Sequence, residues 1–600
     1  MDRRTFLASS SAASALALMP GALRAQTAAG DARLNAVFDR VMDATLKDQP
    51  TLATMLGMDK GANAALKHRL GDNSPAGRTR SLNLLKQATA EIEAVSPATL
   101  SPTAKLDREV VLYSLKAQAL PDERFGLDAV QMPYVITQQA GVYFQTPDFL
   151  NSNHTISNAE DCAAYLDRLA AMATALDNET ARQKSEAARG YVAPGWSLDL
   201  ALAQMAKLRA PSGADNGLTQ SLATRAAKAN IAGDWQAKAA AIVEKQVYPA
   251  LDRQIAMVKG LRAHGRTEDG LWAVPRGDEI YAAALAEATT TSYTPDEVHR
   301  MGLDQVASIT AELDTILKGQ GLTQGSVADR LNALNVRPDQ LYPDTDAGRA
   351  EMLRDLNAGV AAMTAKLGRM FNDPPNAPLE IRRVPVDIQD GASNGYYYLA
   401  ALDGSRPAIY WINLKSVGDW PKYSLPALTY HEGVPGHHLQ LTIAQQAKTP
   451  LLRKLAFFNA YVEGWALYAE KLADEVGGYA SPLERAGFLQ SYLFRAARLV
   501  IDTGIHTQRW TREKATSYMV QTVGFAQPRS QREVERYCTM PGQACSYKVG
   551  HAAWVRAREK AQAIMGAKFD EKGFHDILHA GAMPLTILER IVEERARAAA

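Results

Sequence analysis

The chain has 600 residues, enough for a large core and for anything from one big domain to four ordinary ones. Lys and Arg together number 66 against 65 Asp and Glu, so no net field draws the chain to nucleic acid or to an anionic membrane. A small molecule or peptide is the expected partner, and three cysteines are too few for a disulfide scaffold or a cysteine-based zinc cluster.

The N-terminus, "MDRRTFLASSSAASALALMPGALRAQ", carries the pair Arg3-Arg4 ahead of an Ala/Ser/Leu-rich, weakly apolar stretch. It reads as a twin-arginine export signal over residues 1–25, with cleavage before Gln26. No cysteine stands beside the cleavage site, so no lipid anchor is expected, and no other uncharged apolar run approaches the ~20 residues that span a bilayer. The mature protein is expected to be soluble and periplasmic. In that oxidising compartment Cys538 and Cys545 are able to pair, whereas the simpler reading of both, and of Cys162, is a small buried hydrophobe.

From about Ala32 to Leu261, Ala, Leu, Lys, Glu and Gln recur with helical periodicity, as in "AAYLDRLAAMATALDNETARQ", giving an N-terminal helical region over residues 26–285. The second helical region, 286–600, opens with "YTPDEVHRMG". There Thr294 is set to be an N-cap, Pro295 to take the first helical position and Glu297 to close a capping box. The texture changes between about Leu379 and Leu414, where "LEIRRVPVDI" and "GYYYLAALDGSRPAIYWINL" are rich in β-branched and aromatic residues, with Asp403-Gly404 as a hairpin signal. Helical texture resumes at Ser424. No repeat or clean linker divides the chain, so the expectation is one mainly α unit with a small sheet just upstream of the stretch that carries the chemistry.

That stretch is "TYHEGVPGHHLQ", Thr429 to Gln440, close to the H-E-x-x-H of zinc hydrolases but two residues too long. On an ideal helix His431 and His437 stand about 9 Å apart along the axis and roughly 120° apart in rotation, and His438 is about 10.5 Å along. Neither shares an ion with His431 unless the helix deforms. Pro435 removes a helical N–H and clashes with the carbonyl one turn back, and Gly436 has backbone freedom denied to other residues, so a local bulge there is expected to draw a histidine back over His431. The spacing leaves His437 and His438 both open. A third ligand comes from "AFFNAYVEGWALYAEKL", where Glu463 and Glu470 interrupt an apolar and aromatic helix. Glu463 is favoured, because Gly464 beside it lets another element approach; Glu470 is a support behind the ligands or an ordinary solvated residue.

"HEGVPGHHLQ" and "YVEGWALYAE", together with "RYCTMPGQACSYKVG" and "FHDILHAGAMPL", resemble the bacterial family named domain of unknown function 885. Its helical scaffold is in turn similar to zinc carboxypeptidases and oligopeptidases. The resemblance implies a large multi-helix, metallopeptidase-like scaffold and the motif H-E-x-x-P-G-H, hence one zinc per chain held by His431, His437 and Glu463. His438 then becomes a supporting residue.

In such a site Glu432 suits the role of general base. Tyr547 is the candidate oxyanion donor, and Lys548, Arg536 and Arg498, with Tyr537 nearby, are candidates for holding the substrate, the three cations through a carboxylate. Asp502 and His506, four apart, are expected to face one another on a helix as a supporting pair or as a plain structural ion pair. Tyr396 to Tyr398 and Asn413 offer an edge strand for an extended peptide, or merely cover a helix. Three functions stay open: a periplasmic zinc peptidase acting on short peptides, carboxypeptidase- or dipeptidase-like; a zinc amidohydrolase acting on a non-peptide or cyclic amide; and a metal-free helical binding protein.

Overall fold

A computed structural model describes residues 21–384, 386, 389, 395–401, 404 and 406–600, with side chains from Gln26 onward. Of the export-signal segment, the first twenty residues lie outside this range, as does Asp403 of the hairpin signal. The architecture is mainly helical with one three-stranded sheet. No described helix is long and apolar enough to cross a membrane.

The capping box at Thr294 forms as the sequence dictates: Thr294 Oγ1 accepts from the Glu297 N–H, and Glu297 Oε2 accepts from the Thr294 N–H at 2.8 Å. The helix it starts, Pro295–Gly319, lies along Pro482–Thr507, an amphipathic helix whose Leu493, Ala497, Ile501 and Ile505 are fully buried. A second apolar cluster gathers Trp465, Tyr468 and Trp554 between the helices Asn459–Glu475 and Ser546–Met565. The cores cross the middle of the chain. Val110 and Leu285 belong to the Trp465 cluster, and Tyr281 donates its hydroxyl hydrogen to Asp502 at 2.7 Å.

The sheet has the order β1 (Leu379–Arg383), β3 (Ala408–Ile412), β2 (Gly395–Tyr398). Central β3 runs parallel to β1, with Ile381 opposite Tyr410, and antiparallel to β2, with Tyr397 opposite Tyr410. β3 is buried at four of its five positions, as a central strand requires. In the β2–β3 connection Gly404 takes a φ of +71°, the left-handed conformation that glycine adopts without penalty. Ile381, Tyr410 and Ile412 pack with Met352, Leu356 and Leu425, which fixes the sheet against the start of the helix Leu425–Glu432. β2 is left as an edge beside that helix, with Gly395 3.6 Å from the Leu428 side chain when a Cβ is placed on it.

All three cysteines are buried and free, so Cys538 and Cys545 stand as separate thiols.

Candidate metal centre

His431 and Glu432 end the helix Leu425–Glu432, which the Gly433 N–H closes on the Thr429 carbonyl at 2.8 Å. The chain then turns, and a new helix, His437–Gln446, begins. The expected bulge within one helix is thus replaced by two helices and a four-residue turn, bridged by a bond from the His438 N–H to the Gly433 carbonyl at 3.1 Å. Gly436 is needed at this turn for a steric reason. A Cβ there would lie 2.0 Å from the His431 carbonyl oxygen and 2.3 Å from that of Tyr430. Only a residue without a side chain lets the second helix fold back onto the end of the first. Trp465 Nε1 donates to the Pro435 carbonyl at 3.0 Å and pins the turn from below. The result is two imidazoles 4.8 Å apart by ring centroid and inclined at 83°, the juxtaposition that helical spacing alone forbids.

Glu463 arrives from the helix Asn459–Glu475. Its Oε2 lies 3.3 Å from His431 Nε2 and 3.3 Å from His437 Nε2, and one donor atom from each residue fits within 4.8 Å of the others. Gly464 does what its place beside Glu463 suggested: a Cβ there would meet the Gly550 backbone at 2.3 Å, and one on Gly550 would meet the Ala460 carbonyl oxygen at 1.9 Å. The two helices cross glycine on glycine, and this brings Tyr547 beside Glu463. The donor set fits a zinc ion in its chemistry. It is two imidazoles and a carboxylate, and both Glu463 Oε2 and His437 Nδ1 are buried without a hydrogen-bond partner.

The charges around the three are strongly coupled. Burial opposes the imidazolium of His431, yet Glu463 and Glu470 outweigh it and push that group up to about 9. Burial likewise opposes the Glu463 carboxylate, but His437 and His431 hold it well below the usual carboxylate range. Glu470 is fully buried, and its Oε1 accepts from His431 Nδ1 at 2.9 Å, so it is a support behind the ligand and not a solvated residue. Glu432 lines the cavity beside the histidines; its burial raises it above the ordinary carboxylate value, against the pull of His437 and His431. His438 is turned away. Its Nε2 donates to the Ala377 carbonyl at 3.0 Å, so its Nδ1 is the acceptor for the Tyr397 hydroxyl at 3.1 Å. It ties β2 to the motif and touches none of the three donors.

A cavity of about 610 Å³ opens over this centre. Of the substrate-side residues expected from the sequence, Tyr547, Arg498 and Arg536 line it. Lys548 and Tyr537 do not. Lys548 points the other way from its neighbour Tyr547, with Nζ 3.7 Å from the centroid of the Tyr492 ring and 3.4 Å from His551 Nδ1. Tyr537 is fully buried behind the wall, where its hydroxyl accepts from Arg498 Nε at 2.9 Å and donates to Glu533 Oε2 at 2.9 Å. The Asp502–His506 pair does not form. Asp502 accepts from Tyr281 and from the Gly542 N–H at 3.0 Å, while His506 Nδ1 accepts from the Leu271 N–H at 3.1 Å and Nε2 donates to the Tyr537 carbonyl at 3.0 Å. Each is saturated by a more distant partner, and together they brace the segment that leads to Tyr547. Burial lifts Asp502 to about 7 and lowers His506 to about 4. Gly395, Tyr396 and Tyr397 of β2 also line the cavity, whereas Asn413 turns its amide to the Gln389 carbonyl at 2.7 Å.

Among the lining residues that the sequence reading did not single out are Arg495, Arg529, Glu533 and, from the N-terminal half, Phe144. For the first three a signal exists. Ser491, Arg495 and Arg498 repeat at i, i+4, i+7 on one helix, and Arg529, Glu533 and Arg536 do so on Gln527–Thr539.

No curated protein matches the chain. Among solved structures, a candidate lipoprotein from Colwellia psychrerythraea is 32% identical and superposes with a TM-score of 0.90, over 95% of this chain and 99% of that one. A second, a candidate lipoprotein of unknown function from Shewanella oneidensis, is 18% identical with a TM-score of 0.71 over 92% and 98%, a likeness of fold alone. The motifs of the centre fall inside residues 50–592, which match the profile of the family described as bacterial protein of unknown function (DUF885), and the chain belongs to that family.

Proposed function

We propose that the protein is a zinc-dependent peptidase acting on short peptides, with His431, His437 and Glu463 as the metal ligands. The observation that carries this reading is the convergence of those three donors within 4.8 Å at the floor of a cavity, with the Glu432 carboxylate on the same floor. A zinc ion held there would supply Lewis acidity toward a carbonyl and a bound water of lowered pKa. Two histidines and a glutamate are a donor set that catalytic zinc sites with an open fourth position use.

The protein's own residues divide the remaining work. Glu432 takes the proton of the attacking water and returns it to the leaving amine; its raised pKa suits both transfers. Glu470 accepts from His431 Nδ1, which fixes the ring with Nε2 toward the site. Burial, chiefly, and the neighbouring Glu463 raise the Tyr547 hydroxyl, which keeps it protonated as the donor to a developing oxyanion. The β2 edge lies along the cavity where an extended backbone can pair with it. Export to the periplasm fits both the Arg3-Arg4 leader and the relative described as a candidate lipoprotein.

The deciding experiment is metal analysis of the purified protein combined with a panel of short peptides and non-peptide acyl amides. Zinc at about one per chain with cleavage of peptides supports the proposal; cleavage of acyl amides alone would point to an amidohydrolase on the same centre. A protein that binds no zinc under any loading condition refutes both.

A further inference from the structure

The wall of the cavity facing the centre is built from two helical faces that carry more positive charge than their own carboxylates neutralise. Arg495 and Arg498 project from Pro482–Thr507, Arg529 and Arg536 from Gln527–Thr539, and Glu533 stands among them. Glu533 is already shared: its Oε2 takes Arg498 Nη2 at 3.1 Å, Arg536 Nη2 at 3.0 Å and the Tyr537 hydroxyl at 2.9 Å. Arg498 and Arg536 thus have their counter-ion in this cluster.

Arg495 and Arg529 lie outside it. Among the described residues no carboxylate oxygen comes within ion-pair distance of either. Arg495 gives Nη1 to Ser491 Oγ at 2.6 Å, a neutral acceptor on its own helix. Among the described residues, Arg529 has the Asp419 backbone carbonyl, at 3.5 Å, and the face of Phe525, whose centroid lies 3.7 Å from its guanidinium carbon. Asp419 lines the same wall but extends no carboxylate oxygen to it. The Nε atoms of both arginines are buried without a partner, as is Nη1 of Arg498. Two guanidinium groups held in a partly dry wall without counter-ions are costly unless something completes them. Burial disfavours the charged form of Arg529, and the more distant Asp419 and Glu533 do not make up for it. Arg495 reaches electrostatically in both directions, toward His431 and Glu432 and toward Arg529.

We infer that Arg495 and Arg529 form the binding site for a carboxylate of the substrate, so that this cavity selects anionic ligands. The inference rests on the reading of this cavity as a hydrolytic site, and it names the substrate class for it. A guanidinium presents paired N–H groups in the planar geometry that a carboxylate matches, and two of them on facing helices enclose one anion. The Glu533 cluster holds the wall rigid behind them. Such a carboxylate has two sources, the free C-terminus of a short peptide or an acidic side chain next to the scissile bond.

Three probes separate the sources: acetyl-Ala-Ala as the free acid, its carboxamide, and acetyl-Glu-Ala carboxamide. Binding is measured by calorimetry on zinc-loaded Glu432→Gln protein, so that no ligand is consumed. Arg495→Gln and Arg529→Gln are then added singly. The expected result is that at least one carboxylate-bearing probe binds tenfold or more tightly than the neutral carboxamide. Each glutamine variant should erase that preference while changing carboxamide binding by less than about twofold. Preference for the free acid assigns the C-terminus, and preference for the glutamyl probe assigns the side chain. Arg529→Lys, which keeps the charge but loses the planar fork, should restore part of the preference even if the glutamine variants fold poorly. Equal binding of all three probes, no binding of any, or equal weakening of all three in the variants overturns the inference. Separate turnover measurements on zinc-loaded wild type distinguish the two readings. Hydrolysis without carboxylate preference leaves the peptidase standing and removes the arginine site, whereas preference without hydrolysis does the reverse.

Discussion

The two ends of the cavity solve opposite electrostatic problems. At the motif end, three carboxylates, the buried Glu432 and Glu470 and the half-buried Glu463, crowd two histidines. At the arginine end, four guanidinium groups stand with one glutamate, which pairs with only two of them. On the readings proposed above, a cation would complete the motif end and an anion the arginine end, which would polarise the cavity along its length. Neither end is built for stability, since unpaired buried charge costs more than apolar packing would. The difference teaches that the polarity belongs to what the cavity receives.

The sharpest way to break the comparison is to remove the one carboxylate at the motif end that is not needed to hold metal. Glu432→Gln should retain zinc and fold, yet lose hydrolysis by about three orders of magnitude or more, because water activation disappears while binding and Lewis acidity remain. Turnover within tenfold of wild type, in protein shown to hold zinc, would sink the general-base assignment.

The next largest effect distinguishes the adjacent histidines. His437→Ala should lower bound zinc from about one per chain to near zero, since a three-residue donor set does not survive the loss of one. His438→Ala should keep its zinc, because both ring nitrogens of His438 are spent on Ala377 and Tyr397. The reverse pattern in metal analysis would show that the ligand is misassigned.

This pair of residues also marks where the sequence is legible. His431, Glu432 and His437 lie within one short stretch, and Glu463 interrupts an apolar helix where an uncompensated charge is conspicuous. The mainly helical class, the position of the small sheet and the Thr294 capping box were readable for the same local reason. The arginine end was not. On Gln527–Thr539 a stripe of Arg529, Glu533 and Arg536 has the pattern of an ordinary solvated helix face, and nothing in its period distinguishes bulk water from a cavity. Asp502 and His506 misled for a related reason: i,i+4 spacing shows who can meet on one helix, and not that Tyr281, Gly542 and Leu271 would meet them first.

The joint between the two ends is the glycine crossing. Gly464→Ala forces a methyl to within 2.3 Å of the Gly550 backbone, and no flexible side chain is there to yield. The variant should lose about 3 kcal/mol of stability, the upper part of the range for overpacked sites. Its Tyr547 should also shift relative to Glu463, lowering turnover more than zinc content. An unchanged melting temperature would mean that the helices slide apart at little cost.

The smallest expected effect concerns the one buried amine near Glu470, behind the motif end. Lys548 is buried against Tyr492 and His551, and burial, only partly offset by Glu470, pushes its amine down to about 7. An unfolded lysine keeps its proton to about 10.4. Between these values the unfolded chain binds the extra proton, so the stability of the folded protein rises with pH; below about 7 both states are protonated and the full penalty of the buried ammonium applies. His551 is held well below its usual value by burial and by Lys548, and Tyr492 well above its own, chiefly by burial, so neither titrates in this window. Lys548→Met removes the titration and leaves any lost contact with His551 independent of pH. The stability of wild type relative to the variant should therefore rise by roughly 2 kcal/mol between pH 7 and pH 9. Denaturant unfolding of both proteins across that range reads the difference directly. A flat difference would show that Lys548 stays charged in the fold, and that the motif end holds a fixed cation in addition to the metal it is proposed to bind.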